Sequence, residues 1–254
     1  MSSVFFLSDA HFRSKDSPEE RIKLRRFSEF LERIAGAERL YLLGDLFDFW
    51  FEYRRVMPKG YDGVLRPLRR LRDSGTGITL IGGNHDWWLG SYFTEELGAE
   101  LAPDGCRVEH QGKRLLLVHG DELLNGDRGY KMLKAVIRNR AFIALARLLH
   151  PDFTYWAADR LSDTSRKLGE SSQRKITPER GLRLRPLLDD EVDILVFGHL
   201  HLAFHRSFER WEMLCLGDWI TQFNHAELRD GKMALYDGEG RKIDREAYED
   251  GPSV

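Results

Sequence analysis

Short apolar runs recur along the chain, and each stops at a polar residue beside or close to a glycine. SVFFLS (3–8) halts at Asp9, RLYLLGD (39–45) at Asp45 and GITLIGGN (77–84) at Asn84. KRLLLVHGD (113–121) and VDILVFGHLH (192–201) repeat the design, with His119 and His199 at their ends. Apolar runs this short, bounded by turn residues, predict strands buried on both faces. SPEERIKLRRFSEFLERIAG carries a different period. Ser17 stands as N-cap, Pro18 at the first helical position, Glu20 at the third and Gly36 at the end, with Ile22, Phe27, Phe30, Leu31 and Ile34 as the apolar stripe of a helix. YDGVLRPLRRLRDSG predicts a second helix, and FHRSFERWEMLCLGDW and KMALYDGEG predict antiparallel strands. Strands alternating with helices imply an α/β sheet protein. In such a sheet, ligands bind beyond the C-terminal strand ends, where Asp9, Asp45, Asn84, His119 and His199 all fall.

Length and composition narrow the class. With 254 residues, 42% hydrophobic and 31% charged, the chain fits one large globular domain, 1–254. Cys106 and Cys215 form no C-x-x-C pair and read as reduced structural residues of a cytoplasmic protein. The start, MSSVFFLSDAHF, lacks a basic region before its short apolar run, so no signal peptide is expected. No segment reaches the ~18 uncharged apolar residues of a membrane span. A net charge of -2 argues against general nucleic-acid binding, as does the lack of a stacking aromatic platform beside a long basic groove.

The chemistry gathers in five clusters: DAH (9–11), GDLFD (44–48), GNHD (83–86), VHGD (118–121) and GHLH (198–201). Asp9 with His11, and His199 with His201, alternate along an extended chain and so point the same way. A lone buried histidine at a strand end is more often a hydrogen-bonded core residue than a ligand. Five clusters in register point instead to a metal site, whose mixed N/O donors suit Mn, Fe, Zn or Ni better than Ca. His110, His150, His205 and His225 lack such context and read as structural or surface residues.

This ordered set resembles the calcineurin-like metallophosphoesterase family, whose pattern is D-x-H, G-D, G-N-H-[DE], a later H and G-H-x-H. The resemblance implies a four-layer α/β/β/α sandwich with metals at one sheet edge and a helical cap insertion. It implies two divalent ions, Mn²⁺ foremost. Asp9, His11, Asp45 and His201 would hold one, and Asp45, Asn84, His119 and His199 the other. Two such ions acidify a water and clamp phosphoryl oxygens. His85 would protonate the leaving group, with Asp86 orienting its ring.

Within the family, SDAHF, GDLFDFWFEY and HGDELLNGDRGYKMLKAVIRNR resemble the UDP-2,3-diacylglucosamine hydrolase group of lipid A biosynthesis. Those enzymes split a pyrophosphate into UMP and a lipid phosphate. This closer resemblance implies a cap over 125–185, with Asp127, Tyr130, Arg166, Lys167 and Lys175 joining Asn84, His85 and His199 in substrate contact. The best-known branch reads G-N-R-D where this chain reads G-N-H-D. A soluble phosphomonoester or nucleotide therefore stands as the alternative substrate, and a non-catalytic binding scaffold as a remote alternative.

The cap has its own charge signature. From Asp127 to Arg185 there are 14 Lys and Arg against 6 Asp and Glu, a balance of +8 that leaves -10 for the rest. YKMLKAVIRNRAFIALARLLH (130–150) mixes helical apolar positions with basic ones. Such a helix either packs on the core with a solvated basic face or rests on an anionic membrane. The resemblance favours lipid, hence a nucleotide-activated lipid substrate and peripheral contact at the inner membrane, with the oligomeric state left open.

Overall fold

Each of the five apolar runs is a strand. The computed structural model describes residues 3–121, 132, 135–158, 160, 178–189 and 191–247; Asp127, Tyr130, Arg166, Lys167 and Lys175 lie outside them. Strands β1 (Val4–Leu7), β2 (Arg39–Leu43), β3 (Gly77–Ile81) and β4 (Glu100–Ala102) pair in parallel. On the other side of β1 lie the antiparallel β10 (His225–Arg229), β11 (Lys232–Tyr236) and β12 (Lys242–Ile243). The second sheet consists of β5 (Cys106–His110), β6 (Lys113–Val118), β7 (Ile194–Phe197), β8 (Ala203–Ser207), β9 (Glu212–Leu216) and β13 (Arg245–Ala247). Their order across it is β13-β8-β9-β7-β6-β5. As expected, β8 and β9 are antiparallel, and β11 is antiparallel too, to β10, a strand that the sequence reading did not pick out.

Strand alternation distributes side chains between layers. Phe5, Leu7, Leu40 and Leu42 face helices α1 (Pro18–Arg33) and α2 (Asp62–Asp73), meeting Phe27, Phe30 and Leu68. Val4, Phe6, Tyr41 and Leu43 face the other sheet and pack on Leu115, Leu117, Val196 and Leu214. That sheet's outer face, with Leu195, Phe197 and Met213, is covered through Leu184. Leu184 belongs to the 3₁₀ turns of Pro178–Leu187. Among the described residues this outer layer is a 3₁₀ helix that packs closely on the sheet: a Cβ on Gly181 would stand 2.9 Å from the Phe197 ring. Two facing sheets with helical layers outside them agree with the expected layered α/β sandwich.

Three local expectations meet the structure differently. Ser17 does cap α1, accepting the Glu20 N–H at 3.1 Å. Ile22, however, is exposed, and the neighbouring Lys23 faces inward. The expected single helix over 130–150 is interrupted. Asn139 leaves helical geometry and caps a fresh helix, α3 (Arg140–Ala146), by accepting the Ala141 N–H at 2.8 Å. Asparagine competes well for that role. No helix among the described residues is long and apolar enough to cross a membrane.

His225, at the start of β10, is buried against Phe30 and stacked on Tyr236. Burial, then the nearby Arg33 charge, pull its pKa down to about 4 despite Asp237. The folded state thus binds a proton less readily than the unfolded chain, whose histidines titrate near 6.5. This contribution is intact above pH ~6.5 and is lost as pH falls toward 4, by roughly 2–3 kcal/mol. Urea melts at pH 7 and pH 4.5 should show His225→Phe losing less stability on acidification than wild type; equal losses would contradict the assignment.

Candidate metal centre

The parallel strands of both sheets end at one edge, and the loops leaving them turn sharply. Asp9, His11, Asp45, His199 and His201 all have positive φ, between 44° and 68°. They are five of eight non-glycine residues with this backbone among those described. The expected extended alternation of Asp9 with His11, and of His199 with His201, is therefore replaced by left-handed turns. Such conformations cost of order 1–3 kcal/mol each and concentrate at functional sites. The glycines of the motifs have a steric reason. A Cβ on Gly83 would strike the Asp45 carboxylate, one on Gly198 the Asp9 carboxylate, and one on Gly44 would lie 2.6 Å from His119 Nδ1.

The turns bring three donor groups together: Asp9, His11 and His201; Asp45, His119 and His199; and His11, Asp48 and His85. Asp45 stands between the first two groups. Its Oδ2 lies 3.5 Å from His11 Nε2 and 3.4 Å from His119 Nε2. Asp9 Oδ1 lies 3.5 Å from His201 Nε2 and 3.9 Å from His11 Nε2. Asn84 Oδ1 is 3.2 Å from His119 Nε2. Most of these separations exceed a hydrogen bond, and suit donors gathered about a shared cation. Asp9 Oδ1 and His11 Nε2 are moreover buried without a hydrogen-bond partner, which is costly unless something else satisfies them. Carboxylate, imidazole and amide donors fit a divalent transition metal.

The electrostatics agree. Burial alone would raise the Asp45 pKa, but the surrounding imidazoles of His119, His85 and His11 hold it well below the usual carboxylate range. Burial would lower His119, yet the Asp45 charge pushes it up to about 10. An anionic cluster is drawing positive charge to itself. Burial, then His119, bring His199 down to about 4, which keeps that imidazole neutral and able to ligate. Burial likewise lowers His11. His119 Nδ1 lies 2.9 Å from the Leu43 carbonyl oxygen, which takes its N–H and turns Nε2 toward Asp45.

His85 is part-exposed at the rim, edge-on to His11 with ring centroids 4.7 Å apart. Asp86 does not orient it. The Asp86 carboxylate is fully buried and accepts the main-chain N–H groups of Asp45, Gly83 and Phe47 at 3.0–3.1 Å. Burial, then the Asp45 charge, raise its pKa to about 6. The ring is held instead by Asp48, whose main-chain oxygen lies 3.0 Å from His85 Nδ1. The Asp48 carboxylate is 3.7 Å from His11 Nδ1 and 4.0 Å from His85 Nδ1. Asp48 is a residue that sequence reasoning left unassigned, although it closes the GDLFD cluster.

A sequence model of the calcineurin-like phosphoesterase family matches residues 2–203. The chain belongs to that family.

As a calcineurin-like phosphoesterase it is a metal-dependent hydrolase, which removes the scaffold alternative. It is 35% identical over 249 residues to a UDP-2,3-diacylglucosamine hydrolase of Porphyromonas gingivalis, covering 91% of this chain and 95% of the relative. It is 34% identical over 245 residues to the enzyme of that name from Ectopseudomonas mendocina, covering 93% and 95%.

Two surfaces flank the phosphoesterase centre. Beside His119 opens a cavity of about 300 Å³ whose walls include Gly82, Arg107, Leu116, Asp121 and Arg138. Residues 147–155 lie against the 49–53 stretch that follows Asp48: the Tyr155 hydroxyl donates to Phe51 O at 2.9 Å and Arg147 Nε to Glu52 O at 3.3 Å. Leu145, Leu148, Phe153 and Trp156 of this region are exposed. The other four histidines stay apart from the centre. His205 pairs with Glu212 at 2.8 Å, His110 with Glu38 at 2.6 Å, His225 is buried and His150 is exposed.

Proposed function

We propose that the centre holds two divalent ions, Mn²⁺ foremost, and hydrolyses the pyrophosphate of UDP-2,3-diacylglucosamine to UMP and the acylated sugar phosphate. The observation that carries the dinuclear reading is Asp45 Oδ2, set 3.5 Å and 3.4 Å from imidazoles of two separate donor groups. Asp9, His11, Asp45 and His201 would hold one ion, and Asp45, Asn84, His119 and His199 the other. When bound, such ions supply charge to the phosphoryl oxygens and acidify the attacking water. His85 does the proton work. Its Nδ1–H rests on the Asp48 carbonyl, so the imidazolium carries its second proton on Nε2, which passes to the leaving oxygen.

Support for the nucleotide-lipid substrate comes from the two relatives, which match nearly end to end, and from the two flanking surfaces. The cavity beside His119, with Arg107 and Arg138 in its wall, suits the nucleotide half. The exposed apolar residues of the cap, within 125–185, suit acyl chains and peripheral contact with the cytoplasmic face of an anionic membrane. Turnover by Mn²⁺-loaded protein tests the reading. UDP-2,3-diacylglucosamine should exceed phosphomonoesters and cyclic nucleotides by at least ~100-fold in kcat/KM, with UMP as a product. A soluble phosphomonoester turned over faster would overturn it.

A further inference from the structure

Among the inward-facing residues of α1, Lys23 is out of keeping: a lysine only 5% exposed. Its Nζ donates to the main-chain oxygens of Ala10 at 2.9 Å and His11 at 2.8 Å. The third contact is Glu20 Oε2 at 3.0 Å, one turn earlier on the helix. An ammonium has three donors, and these acceptors use all three. Glu20 Oε1 accepts the Arg13 N–H at 3.1 Å. The ion pair therefore grips residues 10, 11 and 13, the loop in which Asp9 and His11 sit at φ 54° and 44°.

Stability alone is a poor reason for this arrangement. Replacing a buried ion pair by apolar side chains of similar volume is often neutral or stabilising, and burial lowers the Lys23 pKa even with Glu20 opposing it. An apolar side chain could not, however, bind two main-chain oxygens of a left-handed turn. We propose that Lys23, backed by Glu20, is a positioning residue of the metal centre: it pins the turn that presents Asp9 and His11 and so sets the affinity for the cation they hold. This rests on reading Asp9, His11 and His201 as an ion site. Asp9 Oδ1 and His11 Nε2, both buried without a hydrogen-bond partner, lie on the loop that Lys23 holds.

The test is Mn²⁺ retained per chain during dialysis against graded chelator. It compares wild type, Lys23→Met and the double variant Glu20→Gln/Lys23→Met. The double variant leaves no buried carboxylate unpaired and keeps an acceptor for the Arg13 N–H, so it guards against simple misfolding, which a thermal melt checks. Both variants should release one ion ~10–100-fold more readily, the usual cost of losing a partner that orients metal ligands. Their kcat should recover when Mn²⁺ is saturating. Wild-type retention in the folded double variant would overturn the proposal alone, as would a depressed kcat at saturating Mn²⁺ with retention unchanged. Wild type that retains no Mn²⁺ would defeat the ion-site reading and this proposal with it.

Discussion

Asp45→Ala should empty both ion positions together and cut turnover by at least ~10³-fold, since the charge stabilisation that metals supply amounts to several kcal/mol. The reason is placement. One carboxylate oxygen faces His11 and His119 of separate donor groups, while the other, Oδ1, accepts the His85 N–H at 2.9 Å. Removing the carboxylate therefore takes a donor from the group of His119 and His199, takes away the oxygen that faces His11, and loosens the loop that carries Asn84 and His85. Asp45→Asn separates these effects: its amide oxygen can still accept the His85 N–H, but the negative charge is gone. Metal analysis of desalted protein reads the outcome. A folded Asp45→Ala protein that keeps one ion at full occupancy would show that the carboxylate serves a single position.

His85→Ala should lower kcat by ~10²–10⁴, the usual worth of a general acid, with metal content near wild type. Its ring meets His11 edge-on and its Nδ1 is engaged by the Asp48 carbonyl, and neither of the two proposed ions takes it as a ligand. An activated ester, whose leaving group needs little protonation, should narrow the loss. An equal loss for activated and unactivated esters would assign His85 to positioning instead. His85→Arg is the sharper comparison, because a guanidinium can neutralise a leaving phosphate without giving up a proton. It should keep more pyrophosphate cleavage than His85→Ala and show a flatter dependence on pH.

Much of this centre was visible in the order of residues, because strand ends are marked by an abrupt change from apolar to polar and the clusters follow that change. Chemistry that depends on how the backbone turns was not visible. Asp86 is next to His85 in sequence, yet the bend through 84–86 directs its carboxylate to the N–H groups of Gly83 and Asp45, and Asp48, in the loop after β2, reaches the ring. A two-residue alternation was expected to align Asp9 with His11, whereas left-handed turns do so. Helical periodicity favoured Ile22 over Lys23 at an inward position, since hydrophobicity says nothing of two main-chain oxygens awaiting a donor. Asn139 did carry a legible signal: an asparagine inside a helical run is a candidate cap. Asp218 shows the reverse hazard. It follows β9 in a GD pair like the others, but its Oδ1 accepts the N–H groups of Ile220, Thr221 and Gln222, and Gln222 in turn holds the His201 carbonyl oxygen at 2.8 Å.

The donor groups are drawn from both sheets: Asp9 and His11 follow β1 and Asp45 follows β2, while His119, His199 and His201 follow β6 and β7. Where the sheets face each other, an apolar interlayer joins them, and at this edge the junction passes to polar side chains, with the His199 N–H crossing to Asp9 Oδ2 at 2.9 Å. A cation shared across that junction acts as a rivet through two plates. Its binding energy then belongs to the fold as much as to catalysis, adding about 2.7 kcal/mol at a free concentration one hundred times its Kd. Metal scarcity would consequently reach this protein twice, as lost turnover and as a sandwich more easily prised open at its working edge.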